Sequence, residues 1–284
     1  MKKLLKWCGI ALGGVLVLGL LAVLAVFGIT EWQLSRTFEV AATPIAVPED
    51  PAALKEGRRL AALRGCNGGC HGPEGAGRVF FEVPDGSRVI AANLSQVADD
   101  YSDAELARVI RHGVRPDGTS VFGAMPSEMF NGLTDGDTAR IIAWMRSLPA
   151  GNTELPETRF GPMLRGMMLY FQREGFEPLA AAGIEHDAGP LPRGDDPVAR
   201  GRYLALTVCT ECHGSDLAGM SVGLAAPSLE IAKAYSPEAF DKLMIEGLAL
   251  GDREVGIMSS VSRGRFAHFT AQERADLFAF LQAR

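Results

Sequence analysis

Two short cysteine–histidine stretches constrain this 284-residue chain more than anything else in it. The first to note is Cys209-Thr-Glu-Cys212-His213, and a near-copy lies upstream, Cys66-Asn-Gly-Gly-Cys70-His71. A Cys-x-x-Cys-His run reads as an attachment site for c-type haem. Two thioether bonds would hold the porphyrin, and the histidine would ligate the iron. At about 100° per residue, cysteines at i and i+3 share one side of a helix, and i and i+4 share a side turned further round. The upstream copy has three residues between its cysteines instead of two. Both its cysteines can therefore face a ring, in a different pose, with Gly68 and Gly69 free to absorb the extra residue at positive φ. Two bland readings compete: a zinc site, which would lack an obvious fourth ligand, and a disulfide inside each motif.

The motifs sit inside an internal repeat. Asp50-Pro51 and Asp196-Pro197 each read as an N-cap with proline at the first helical position. Gly57-Arg58 and Gly201-Arg202 follow, then a leucine-rich turn and the cysteine motif. Asn93-Leu94 and Ser228-Leu229 come next. Tyr101-Ser102 and Tyr235-Ser236 open a second helix that ends near Gly113 and Gly247 as C-cap glycines. A last helix starts at Thr134 or Thr270, with Thr270 and Glu273 as a capping box. Apolar residues recur there at helical spacing: Ile141, Ile142, Met145 and Leu148; Leu277, Phe278 and Leu281. No strand pattern recurs, so the expected fold class is all-α.

This layout resembles the cytochrome c family of small monohaem domains, here in tandem, over about residues 50–149 and 196–284. The first unit, with Asn93-Leu94, Met125-Pro126 and Leu133-Thr134-Asp135, is especially similar to the domains in cytochrome subunits of bacterial membrane dehydrogenases. Those subunits typically carry three haem domains, and this chain has two. The resemblance implies two covalent haems, on Cys66, Cys70 and His71 and on Cys209, Cys212 and His213. It also implies a methionine on the far side of each iron, from the loop after the second helix. Met125 and Met258 fit, 54 residues after His71 and 45 after His213. Met129 is the rival of Met125, and core packing is the bland role for either. His/Met ligation implies a relatively high potential. A bis-His haem would need His112, His186 or His268.

Residues Trp7 to Thr30 carry no charge and are about long enough to cross a bilayer. Lys2, Lys3 and Lys6 precede the run, which places the first residues in the cytoplasm and the rest outside. A cleaved signal peptide is the rival. The expected organisation is an N-terminal membrane anchor (1–30), a tether (31–49), haem domain 1 (50–149), a linker (150–195) and haem domain 2 (196–284). The linker should hold a short helix after Pro162 that packs against both domains. Its alternative is an amphipathic helix on the membrane, with Arg165 and Arg173 at the headgroups. Without the three N-terminal lysines the chain has 25 basic and 34 acidic side chains, a net of −9. That excludes nucleic acid as a natural partner and suits a basic patch on a redox protein.

The expected function is electron transfer by a dihaem cytochrome held on the periplasmic face of a bacterial inner membrane. Donors would be a dehydrogenase or a quinol-oxidising complex, and acceptors an oxidase or a soluble cytochrome. With both axial positions filled, the chain would carry electrons and catalyse no reaction of its own. The alternative is a dihaem enzyme, a peroxidase or a sulfur-compound dehydrogenase, with one reactive haem.

Overall fold

In a computed structural model, residues 2–151, 153–186, 189–221 and 225–284 are described. The chain begins with α1, Lys2–Leu34, an unbroken 33-residue helix. At about 1.5 Å per residue it is roughly 50 Å long. Its length and apolar composition suffice to cross a membrane, and leucines and valines between Leu4 and Leu24 stand exposed all round it. The residues that follow lie along the first unit. Phe38 N–H donates to Gly118 O at 2.8 Å, Arg108 donates to Val40 O, and Ile45 and Val47 pack against the core.

The first unit runs α2 (Pro51–Leu63), the hairpin β1 (Arg78–Glu82) and β2 (Arg88–Ala91), α3 (Leu94–Asp100), α4 (Asp103–His112), α5 (Ser127–Asn131) and α6 (Asp135–Arg146). Asp50 caps α2, Ser102 and Glu105 close a full capping box on α4, and Gly113 ends that helix in the left-handed conformation. The antiparallel hairpin is not legible as a repeated feature: among the described residues of the second unit, the matching stretch shows only an isolated antiparallel bridge between Met220 and Ala226. Its own signal is Val79-Phe80-Phe81 and Val89-Ile90 on either side of Pro84-Asp85-Gly86.

Helix α7 (Pro162–Arg173) follows in the linker. The second unit then repeats the first: α8 (Pro197–Val208), α9 (Thr210–His213), α10 (Pro237–Glu246), a minimal hairpin β3 (Leu248–Ala249) and β4 (Arg253–Glu254), α11 (Ile257–Gly264) and α12 (Ala271–Ala283). Asp196, Ser236 and Thr270 cap α8, α10 and α12, and Gly247 closes α10.

In each unit the first helix crosses the last at backbone contact. A Cβ built on Gly57 would lie 1.8 Å from Arg140 O, and one on Gly201 would lie 1.9 Å from Asp276 O. Only glycine permits that approach, which is why the Gly-Arg step recurs in both halves.

The two units share one apolar core. Leu60, Leu63, Leu106, Ile142 and Trp144 of the first join Tyr203, Leu204, Phe240, Phe266 and Leu277 of the second. The polar contacts between them follow the repeat. Arg59, two residues after Gly57, makes a two-pronged ion pair with Glu273 at the start of α12 (2.7 and 2.9 Å). Tyr203, two residues after Gly201, donates to Asp137 at the start of α6 (2.7 Å). Each first helix thus grips the capped end of the other unit's last helix.

The linker departs from expectation. Among the described contacts, α7 packs on α1 and beside the first unit, and direct packing of the two units sets their spacing. Residues 158–160 run along β2, with Arg159 and Arg88 paired backbone to backbone, and Leu179 pairs with Phe122. Leu191 fills the space over Gly132.

Candidate haem sites

The second motif lies on helix, as its spacing predicts. Cys209 closes α8, and α9 carries Cys212 and His213, with His213 N–H donating to Cys209 O at 3.0 Å. The first motif does not. Helix α2 stops at Leu63, and residues 64–71 form a run of turns. Cys66 N–H reaches back five residues to Ala61 O, and Cys70 N–H reaches back five to Gly65 O, each at 2.8 Å. These wider turns absorb the extra residue. Gly65 and Gly68 take φ of 79°, whereas Gly69, expected to share that role, stays at ordinary φ.

The two histidines are held identically. His71 Nδ1 lies 2.8 Å from Ala92 O, and His213 Nδ1 lies 2.8 Å from Pro227 O. Ala92 and Pro227 occupy matching positions, each one residue before the cap of the following turn, Asn93 or Ser228. A Nδ1–H donated to a carbonyl leaves Nε2 as the free lone pair, the arrangement of a metal-ligating imidazole with its outer partner. Burial holds both imidazoles below the ordinary histidine value, so both are neutral and able to ligate.

A cavity of about 520 Å³ opens between the first motif and the distal loop. Cys66, Cys70, His71 and Met125 line it, with Leu94, Val109, Phe130, Ile141 and Met145 as apolar wall. Volume and lining suit a cofactor-sized apolar ligand with a few polar groups. Met129, buried in α5, belongs to the core and is absent from this lining. Met258 stands half-buried in the first turn of α11, against the core of the second unit. His112 and His186 lie against each other, ring centroids 6.3 Å apart, and neither lines the cavity. His268 gives its carbonyl to Arg59.

The donor set fits haem better than zinc. Burial pushes the Cys66 thiol up to about 11 and the Cys209 thiol up to about 12. Among the described residues no three His, Cys, Asp or Glu side chains converge to hold a metal ion, and all the cysteines are unpaired. Arg64 adds a positive argument. It is 2% exposed, and its guanidinium nitrogens have no hydrogen-bond partner. Its nearest carboxylate, on Asp137, is 3.8 Å away. A buried cation at the cavity wall without an acceptor calls for an anionic group, and haem carries two propionates.

The two motifs are neighbours across the shared core. Glu211, inside the second motif, lines the cavity of the first. Arg265 pairs with Glu211 at 2.8 Å and donates to Leu63 O at 3.2 Å, at the end of α2. While burial raises all four cysteine thiols, the charge of Arg265 pulls each of them down. One guanidinium therefore stands within electrostatic reach of both attachment sites. Sequence reasoning overlooked Arg64, Glu211 and Arg265. The first two adjoin the motifs and were open to notice; nothing local marks Arg265.

No curated protein matches the chain. The family model described as Cytochrome c matches residues 54–149 and again 198–284, which together make up more than half of its length. With two histidine–cysteine cradles in matching places and a tandem match over both units, the chain belongs to the cytochrome c family of electron-transferring haem proteins.

Proposed function

We propose that the chain is a membrane-anchored dihaem c-type cytochrome that carries electrons between respiratory redox proteins on the periplasmic face of a bacterial inner membrane. Cys66 and Cys70 hold one porphyrin, and Cys209 and Cys212 the other. His71 and His213 would ligate the irons through Nε2, and Met125 and Met258 would each supply a thioether sulfur. When bound, each haem supplies a one-electron Fe(III)/Fe(II) couple, and a methionine ligand favours Fe(II). Arg64 neutralises acidic groups at the cavity wall, and the apolar walls exclude water. Donors are a dehydrogenase or a quinol-oxidising complex, and acceptors an oxidase or a soluble cytochrome, which an acidic exterior would steer by charge.

The observation that carries this reading is the contact of the two motifs through Glu211 and Arg265. It sets the two attachment motifs side by side, a form suited to passing electrons on. Intact mass with a pyridine haemochrome spectrum tests it. Two haems and four thioethers are expected; haem on Cys209 and Cys212 alone would overturn the first half. Rapid and full carbon monoxide binding at one reduced haem would point to a reactive iron and against a simple carrier.

A further inference from the structure

The linker helix α7 has one face packed and one bare. Leu164, Arg165 and Met168 are buried. Met163 and Tyr170 are exposed, Gly166 lies between them, and Met167 is half-exposed on the same side. At about 100° per residue these four fall within one apolar sector, opposite the packed one.

The height of that face is fixed by α1. The Arg165 guanidinium lies over the Phe27 ring, 4.8 Å from its centre, and donates to Thr30 Oγ1 and Glu31, each at 2.7 Å. Farther on, Gln33 donates to Gln172 at 2.7 Å. The two helices therefore ascend together, so Met163 lies near the level of Phe27 and Tyr170 near that of Trp32. Phe27 is inside the uncharged run, and Thr30 ends it. Trp7 and Trp32 are both exposed and mark the two ends of α1, 25 residues and about 38 Å apart. That spacing matches a hydrocarbon core with its flanking interfaces, where exposed Trp and Tyr gather. Arg165 itself is 8% exposed and tied to α1, so it is not a headgroup anchor.

We infer that α7 is a membrane foot: its Met163, Met167 and Tyr170 face enters the outer bilayer interface and seats the first unit on the lipid. The bare face continues the lipid-facing surface of α1 at the same level, which is why lipid is its occupant. The consequence is an orientation. Glu31, Leu34, Phe160 and Arg165 at this foot also line the first cavity, so that cavity sits at the membrane surface. The inference rests on α1 spanning the bilayer.

The test uses the full haem-loaded chain in phosphatidylcholine–phosphatidylglycerol vesicles. Nitroxides are placed one at a time through Met163→Cys, Tyr170→Cys, Leu18→Cys and Lys233→Cys in a Cys8→Ser background, with an unchanged visible spectrum as the check on folding. Accessibility to oxygen, which enriches in lipid, is compared with accessibility to a water-soluble nickel chelate. Oxygen should dominate severalfold at 163 and 170, as at 18, with the order reversed at 233. Lipid exposure at 18 with water exposure at 163 and 170 overturns the foot and leaves the anchor standing. Water exposure at 18 overturns the anchor and the foot with it.

Discussion

The Tyr203 hydroxyl donates to Asp137 Oδ2 at 2.7 Å, joining the first helix of one unit to the last helix of the other. Asp137 is 1% exposed, and Arg64, Arg140 and Arg193 are its cationic neighbours. A hydrogen bond to a charged group is worth about 1.5–3 kcal/mol. Tyr203→Phe should cost that much in denaturant unfolding followed by circular dichroism. Asp137→Ala should cost more, about 3–5 kcal/mol, because it strips the buried Arg64 of its one nearby carboxylate. Combining Tyr203→Phe with Arg59→Ala removes both symmetry-related grips, and a single transition should then split in two.

Gly57 and Gly201 predict a second pair of losses. A methyl group at either would strike a carbonyl oxygen of the crossing helix, and overpacking of this kind costs about 1–3 kcal/mol or more. Gly57→Ala and Gly201→Ala should each lower the thermal midpoint. Gly166→Ala is the control, since a Cβ there meets nothing within 4 Å. It should be neutral or stabilising, through helix propensity.

Half of the fold is readable because capping residues act within a few positions of chain, so the helices α2, α4, α6, α8, α10 and α12 announce themselves. The crossings at Gly57 and Gly201, by contrast, join Arg140 and Asp276 far along the chain. The β1–β2 hairpin does not stand out when the repeats are compared, because among the described residues its counterpart is only the isolated Met220–Ala226 bridge. The path of residues 35–49 and the seat of α7 depend on contacts such as Phe38 to Gly118 and Arg165 to Thr30, 80 and 135 positions apart, which no local pattern encodes. At the sites, the histidines and cysteines are legible from spacing alone. Arg265 is not, because it meets Glu211 across 54 positions of its own unit and reaches Leu63 of the first only through the packing of one unit on the other.

Asp276 gives a pH dependence. The two-pronged bond from Arg200, at 2.7 and 3.0 Å, holds its carboxyl below the usual range. A carboxylate depressed in the folded state contributes stability above its unfolded value, near 3.9, and that contribution fades as pH falls through the folded value. Asp276→Asn should be less stable than the parent at neutral pH. The gap should narrow below about pH 4, as read by unfolding midpoints across an acid series.

Arg265 should set the potentials. A half-buried cation near both attachment sites disfavours the more positive Fe(III) state, so it raises both potentials. Arg265→Gln removes the cation and leaves Glu211 without its partner, and both changes act in the same direction. At an effective dielectric of about 20, a unit charge roughly 10 Å away is worth on the order of 1–2 kcal/mol, or some tens of millivolts for one electron. Potentiometric titration should show both couples shifted down. A shift in the second couple alone would mean that Arg265 serves only the motif that carries Glu211.

Met125 and Met129 divide the last question between them. Met125 lines the same cavity as His71, whereas Met129 is buried at 5% exposure among core residues of α5. Met125→Leu should therefore abolish the sulfur-to-iron charge-transfer absorption of one haem and open that iron to carbon monoxide. Its potential should drop by on the order of 100 mV, given that axial ligands set haem potentials over about 0.8 V. Met129→Leu swaps core side chains of similar volume, so it should leave spectrum and potential unchanged and cost less than about 1.5 kcal/mol of stability. The reverse pattern would move the ligand from the loop into α5, and the first turn of that helix would then have to unwind to bring its sulfur to the iron.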